Sequence, residues 1–193
     1  MHPTISRVWR AGLAALCGAA GVLCAWAPAS AATFSVLEPG RRGPLAVVIQ
    51  GKIDTGDSLR FAELLIRLDE SRRRVGLVAL DSPGGFLGES LAIAETVRRR
   101  GLPTYVVDTC ASGCFMIFAA GSRRLASRTA RIGVHTAFTS RGSSDKGTAI
   151  MASYAVKYGV PVGVVAKMMG TAAPEIAWLN RSDIKAMHVT ATR

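Results

Sequence analysis

From residue 45 onward the apolar positions fall into two alternating patterns. Leu45–Ile49 (LAVVI) and Val75–Leu80 (VGLVAL) are short, unbroken apolar runs. Each is followed closely by turn formers, Gly51 in one case and Asp81-Ser82-Pro83-Gly84-Gly85 in the other, as expected of strands buried on both faces. Between the two runs, Phe61, Leu64, Leu65 and Leu68 recur at helical spacing after the acidic Asp57, and the polar DESRRR stretch closes the segment. Leu87, Leu91, Ile93, Ala94 and Val97 predict a second helix, ending at Arg98–Arg100 with Gly101 as its cap residue. Pro103–Val107 reads as a third strand. Asp108 to Gly113 then leads into Cys114–Ala120, an almost uncharged segment that predicts a buried helix. Short strands are expected around Arg124–Leu125 and Ile132–Val134, and helices over Ala149–Lys157 and Pro161–Met169. Ser182-Asp183 reads as the cap of a last helix reaching Met187. The polar loop Thr139–Gly147 (TSRGSSDKG) is expected to be mobile and the tail beyond residue 187 loosely ordered. Strands alternating with helices predict an α/β domain with parallel pairing.

The first thirty residues depart from this pattern. Arg7 and Arg10 precede an apolar, small-residue run from Ala11 to Ala27, and Ala29-Ser30-Ala31 supplies the small-x-small pattern of a signal peptidase site. This predicts a cleaved signal peptide over residues 1–31, an N-terminal segment over 32–44 and one domain over 45–190. The chain is then periplasmic or otherwise exported. The alternative is a retained membrane anchor, for which the apolar run lies at the short limit of a spanning helix.

Composition narrows the class. With 193 residues, 49% of them hydrophobic, the chain is too apolar for a disordered protein and of a length for one domain. Its formal charge of +11 comes with arginine clusters at 72–74, 98–100 and 123–124. No aromatic residues are interleaved with them to stack on bases, so nucleic acid is not an expected partner. Peripheral contact with an anionic membrane, or solubility alone, accounts for such a charge in an exported protein. Export also leaves Cys110 and Cys114 in an oxidising compartment. A disulfide between them and a pair of buried free thiols both fit their spacing. Two cysteines and scattered histidines make no metal-ligand set, and no cofactor is expected.

Three features could carry chemistry. Ser82-Pro83-Gly84-Gly85 joins a buried strand to a helix, where glycines let backbone N–H groups approach an anion beside a helix N-terminus; the same residues also make an ordinary turn. Ser112, between a strand end and a buried helix, stands where a nucleophile would meet the Gly113 amide, and equally where a helix N-cap belongs. His135 follows the apolar Ile132-Gly133-Val134 and is the one embedded histidine, a candidate general base or a structural imidazole.

Taken in order, these features have a wider likeness. The stretch LDSPGGFLGESLAIAETVRRRGLPTYVVDTCASGCFMIFAAGSRRLASRTARIGVH resembles the proteolytic subunit of the Clp protease and, more broadly, the Clp protease/crotonase superfamily. IQGKI, upstream, resembles that family's first strand and glycine turn. The resemblance implies a spiral of β-β-α units and a serine peptidase-like hydrolase. Ser112 falls at its nucleophile and His135 at its base, with Gly85 and Gly113 at the oxyanion-hole amides. It also implies a peptide or protein substrate and a homo-oligomer, the polar loop lying where the family has its ring-to-ring handle. No unfoldase partner is expected in a periplasm without ATP. At the family's third position, an Asp before the last helix, the match fails: Ala or Ile falls there, and Glu175 and Asp183 are the nearest carboxylates, with Glu175 preferred. SPGG followed by Ala111-Ser112-Gly113 also resembles signal peptide peptidases, which use a Ser-Lys dyad; Lys157 and Lys167 are the bases that likeness offers. Acyl-CoA chemistry of the crotonase type suits an exported protein badly. Two readings remain: an exported serine hydrolase, or a catalytically inactive scaffold or binding module of the same fold.

Overall fold

A computed structural model describes residues 31–38 and 43–192. Apart from Ala31, the expected signal peptide lies outside them. Among the described residues no helix is long and apolar enough to cross a membrane.

The two apolar runs form β2 (Leu45–Gln50) and β3 (Val75–Ser82), joined through α1 (Asp57–Glu70). Next come α2 (Leu87–Arg99), β4 (Thr104–Ala111) and α3 (Gly113–Ala119). β2, β3 and β4 pair in parallel, and β4 is long enough to serve two neighbours. Its first half pairs with β5 (Arg124–Ser127) and its last three residues with β6 (Arg131–Val134), both in parallel. Every residue of α3 is buried, and Phe115, Met116, Ile117 and Phe118 join Phe61, Leu65, Ile93 and Val97 in a single core. The almost uncharged composition of that helix is what allows it to sit there.

Four departures from the sequence reading have local causes. The segment before residue 45 contributes β1 (Thr33–Leu37), antiparallel to β2, so the sheet starts earlier than expected. Asp57 anchors its approach: the fully buried carboxylate accepts from the Ala32 and Asp54 amides at 3.2 and 2.8 Å and pairs with Arg60. The polar loop is shorter than expected. β7 (Phe138–Thr139) and β8 (Gly142–Ser143) close a small hairpin, and α4 (Asp145–Lys157) starts early because the Ser144 hydroxyl accepts from the Gly147 amide at its N-terminus.

Beyond α5 (Val162–Gly170) and β9 (Ala177–Trp178), which pairs antiparallel with β6, the last helix α6 (Arg181–Ala186) is capped by Asn180 rather than Ser182. Asn180 and Asp183 form a reciprocal capping box. The tail is ordered as β10 (Thr190–Thr192), which pairs in parallel with β5. Arg124 ties this side together, its guanidinium donating to the carbonyls of Ala119, Tyr158 and Met187 at the ends of α3, α4 and α6.

Parallel pairing gives the sheet two unlike edges. Arg72–Arg74, Arg98–Arg100 and Arg123 stand just before the starts of β3, β4 and β5, along one edge. Gly84-Gly85, Ser112 and His135 follow the ends of β3, β4 and β6, along the other. In open α/β sheets the strand ends are where ligands are met.

Candidate active site

Ser112 sits at the step from β4 into α3. It is the N-cap residue by position, yet its hydroxyl makes no capping hydrogen bond. Its backbone is bent to φ 55° and ψ −125°, a conformation that a residue with a side chain adopts only under constraint. Strand-to-helix elbows of this kind present a serine hydroxyl outward. The constraint comes from three sides. The Ser112 amide donates to Gly133 O of β6 at 3.2 Å, and Ser112 O accepts from the Phe115 amide at 3.0 Å. Gly84 lies so close that a Cβ there would be 2.8 Å from Ser112 Cβ and 2.7 Å from Gly113 N. A disulfide joins Cys110, near the end of β4, to Cys114 in the first turn of α3.

The turn after β3 comes up against the same elbow. The Ile53 amide donates to Gly84 O and the Phe86 amide to Ile53 O, which pins Gly85 between two bonds that leave its own N–H unused. Gly85 has φ 150°, and a Cβ there would fall 1.9 Å from Ile53 O, so only glycine fits. Gly113 is the first residue of α3, where a helix leaves its amides without partners. A Cβ on Gly113 would lie 3.4 Å from Gly85 N, so the two free amides are neighbours beside Ser112. Paired donors of this sort can hold a developing oxyanion.

His135 follows β6, whose Gly133 is paired with Ala111 of β4, so the imidazole and Ser112 leave adjacent parallel strands at the same edge. His135 is 6% exposed. Its Nδ1 lies 2.6 Å from Thr136 O. A carbonyl accepts only, so Nδ1 carries the proton and Nε2 is the free basic nitrogen. No hydrogen bond joins Ser112 Oγ to Nε2. The exposed Phe138 lies over the imidazole with ring centroids 5.7 Å apart.

Among the described residues no carboxylate bonds to His135. Asp183, expected as a third member, is instead committed to its capping box and to Lys167, whose Nζ is 2.5 Å from Oδ2. Burial pushes its carboxyl up, but the Lys167 ammonium and the Asn180 amide outweigh that and hold it below the usual carboxylate range. Glu175 is exposed and its side chain has no partner at the imidazole. The segment beside Thr136 is Thr171–Ala173: Thr171 O accepts from the Thr136 amide at 2.8 Å, and it brings no acid. Sequence reasoning missed the Thr136 carbonyl as the group that orients the imidazole, because a backbone acceptor leaves no signature in residue type. Both lysines offered as alternative bases are held in ion pairs. Lys157 pairs with Glu95, which lies well along α2 from Gly85, and Lys167 pairs with Asp183.

A search of curated proteins returns no match. Among solved structures, a serine-to-alanine mutant of the 1510-N membrane-bound stomatin-specific protease superposes with a TM-score of 0.58 at 16% identity, covering 76% of this chain and 77% of that one. A lysine-to-alanine mutant of the same protease in complex with a substrate peptide gives 0.56 at 15% identity, covering 76% and 73%. A monofunctional enoyl CoA isomerase from M. smegmatis gives 0.56 at 16% identity, covering 81% and 76%. At such identities the likeness is one of fold, and the fold is that of the Clp protease/crotonase spiral. The Clp protease family model matches residues 44–171, well over half of the chain and all of Gly84-Gly85, Ser112 and His135. The chain belongs to the Clp protease family.

Proposed function

We propose that this protein is an exported serine peptidase-like hydrolase working by acyl transfer. One observation carries the reading: Ser112 holds a capping position, in a constrained elbow beside two unpartnered amides, without using its hydroxyl to cap. In the proposed cycle, Ser112 Oγ attacks the substrate carbonyl carbon while His135 Nε2 takes its proton. The carbonyl oxygen becomes an oxyanion held by the N–H groups of Gly85 and Gly113. Nε2–H then protonates the leaving group, and water deprotonated by Nε2 releases the acyl group. The missing Oγ–Nε2 bond is of the kind that tightens when substrate is bound.

His135 is oriented by a carbonyl dipole rather than by a charge, so its imidazolium gains less in the transition state. Neutralising the third member of a serine triad costs about 10⁴ in rate. Slow turnover is therefore part of the proposal.

A peptide or unfolded protein segment is the proposed substrate, in keeping with the substrate peptide bound to one structural neighbour. Phe86, next to Gly85, and Phe138, over His135, are exposed and offer apolar walls on either side. Export is supported by a buried disulfide, since such bonds persist in oxidising compartments. A homo-oligomer is proposed from the family. Peripheral contact with an anionic membrane is proposed through the arginine-bearing edge, where Arg72, Arg74, Arg98, Arg99 and Arg123 are exposed; that would turn the Ser112 edge away from the lipid.

Labelling with a fluorophosphonate probe tests the activity. Modification of Ser112, lost in both Ser112→Ala and His135→Ala, is the expected result; a well-folded protein that never labels refutes it. The contact of His135 Nδ1 with a backbone carbonyl, where a triad has a carboxylate, favours a second reading, a non-catalytic binding module. On that reading Ser112→Ala leaves partner binding unchanged.

A further inference from the structure

The disulfide lies in an unusual place, and the role assigned to it rests on Ser112 being the nucleophile. Cys110 and Cys114 stand two residues to either side of Ser112, and their bond spans the elbow with Cα atoms 5.3 Å apart. Both side chains are fully buried. The elbow itself is a constrained conformation that ordinary backbone preferences would relax. The hydrogen bonds and the Gly84 packing that oppose relaxation are present in any folded state. The sulfur bridge is the one restraint that depends on the surroundings.

Two unbonded sulfurs need van der Waals separation. In a core packed on every side they gain it only by parting, and the three residues between them have to move with them. Ser112 is the middle one, and the Gly113 amide is its neighbour.

We infer that Cys110 and Cys114 are positioning residues for the nucleophile: the oxidised pair holds Ser112 and Gly113 in the productive elbow, and the dithiol form of the protein is folded but latent. Maturation is a thiol–disulfide exchange. A disulfide donor accepts two electrons and two protons from the two thiols, the Cys110–Cys114 bond forms, and the donor is released with its own disulfide reduced to two thiol groups, on one molecule for a protein donor and on two for a small one such as oxidised glutathione. A dithiol or phosphine reductant reverses the step. The hydrolase is thus silent in a reducing compartment and switched on by oxidation.

The test compares oxidised full-chain protein with protein folded in a phosphine reductant, thiol status being read by alkylation and mass. Fluorophosphonate labelling gives the maximal inactivation rate and the probe affinity separately, and far-UV circular dichroism on the same samples reports the folded fraction. An ångström-scale misplacement is worth roughly 10²-fold in rate. The maximal rate is therefore expected to fall by that order on reduction, at unchanged folded fraction and unchanged probe affinity, and to return on reoxidation with oxidised glutathione. Cys110→Ala/Cys114→Ala, which has no bond to break, is expected to label at a rate that reductant leaves unchanged. Equal rates in oxidised and reduced folded protein overturn the inference, as does a loss that only tracks unfolding, which would make the bond a stabiliser and nothing more. If the double variant does not fold, the reduced wild type decides alone. If the oxidised wild type does not label, the proposed activity itself falls and takes this inference with it.

Discussion

Gly113→Ala probes the closeness of the two turns while leaving the side chains of Ser112 and His135 as they are. A methyl at residue 113 would lie 2.3 Å from Ser90 Oγ and 3.1 Å from Ser90 Cβ. Ser90 has little room to give, being fully buried, with both its hydroxyl and its amide donating to Phe86 O at 2.9 and 3.0 Å. The clash is therefore passed to the start of α2 and from there to Gly85, one residue before Phe86. Overpacking of this size costs about 1–3 kcal/mol. Alanine's better helix propensity offsets at most about 1 kcal/mol of it. Urea unfolding should show a net loss of up to about 2 kcal/mol, and fluorophosphonate labelling should slow by more than the unfolded fraction explains. Ser90→Ala removes the oxygen, so the double variant should lose less than the sum of the two singles, with a coupling of about 1 kcal/mol. Additive losses, or a neutral Gly113→Ala with unchanged labelling, would refute the claim that tight packing brings the two amides together.

Three further outcomes are expected. Gly85→Ala meets Ile53 O at 1.9 Å and should lower stability by about 3 kcal/mol or more while abolishing probe labelling in whatever remains folded, read by urea unfolding alongside labelling. Asp57→Ala strands the Ala32 and Asp54 amides, each worth roughly 1–3 kcal/mol when buried, and should speed hydrogen exchange selectively in β1. Asp183 has a carboxyl pKa depressed below its ordinary 3.8, so its contribution to stability is complete above that value and disappears as pH falls through the folded one. The thermal midpoint of Asp183→Asn should therefore vary less on the acid side than that of the wild type; parallel acid limbs would show that the Lys167 pair adds nothing.

Much of this architecture could be read from residue patterns because burial on both faces writes itself into composition. LAVVI, VGLVAL and CFMIFA have few positions open to polar side chains, and they became β2, β3 and α3. β1 and β10 escaped notice for the opposite reason: both lie at the edges of the sheet, are partly exposed, and owe their order to a neighbour far along the chain. At the site, glycines near a serine and an embedded histidine were visible in order and spacing. Left-handed bending at Ser112, the unused capping hydroxyl and the Thr136 carbonyl behind the imidazole are properties of conformation, and residue types do not report them. Asp183 was singled out for its charge and its place before the chain's end, yet the capping box and Lys167 had a nearer use for it.

Arg124 has a consequence reaching beyond the edge it occupies. Its planar head gathers three helix termini whose carbonyls would otherwise face one another as like dipoles. Lysine carries the same charge but has its donors on one tetrahedral nitrogen, and cannot span acceptors that the guanidinium fork reaches from opposite flanks. A cationic replacement there should thus behave as a loss of shape rather than a conservative exchange, loosening α3, α4 and α6 together. Because α3 starts directly after Ser112, a fault at this keystone would be felt at the far end of the same rod.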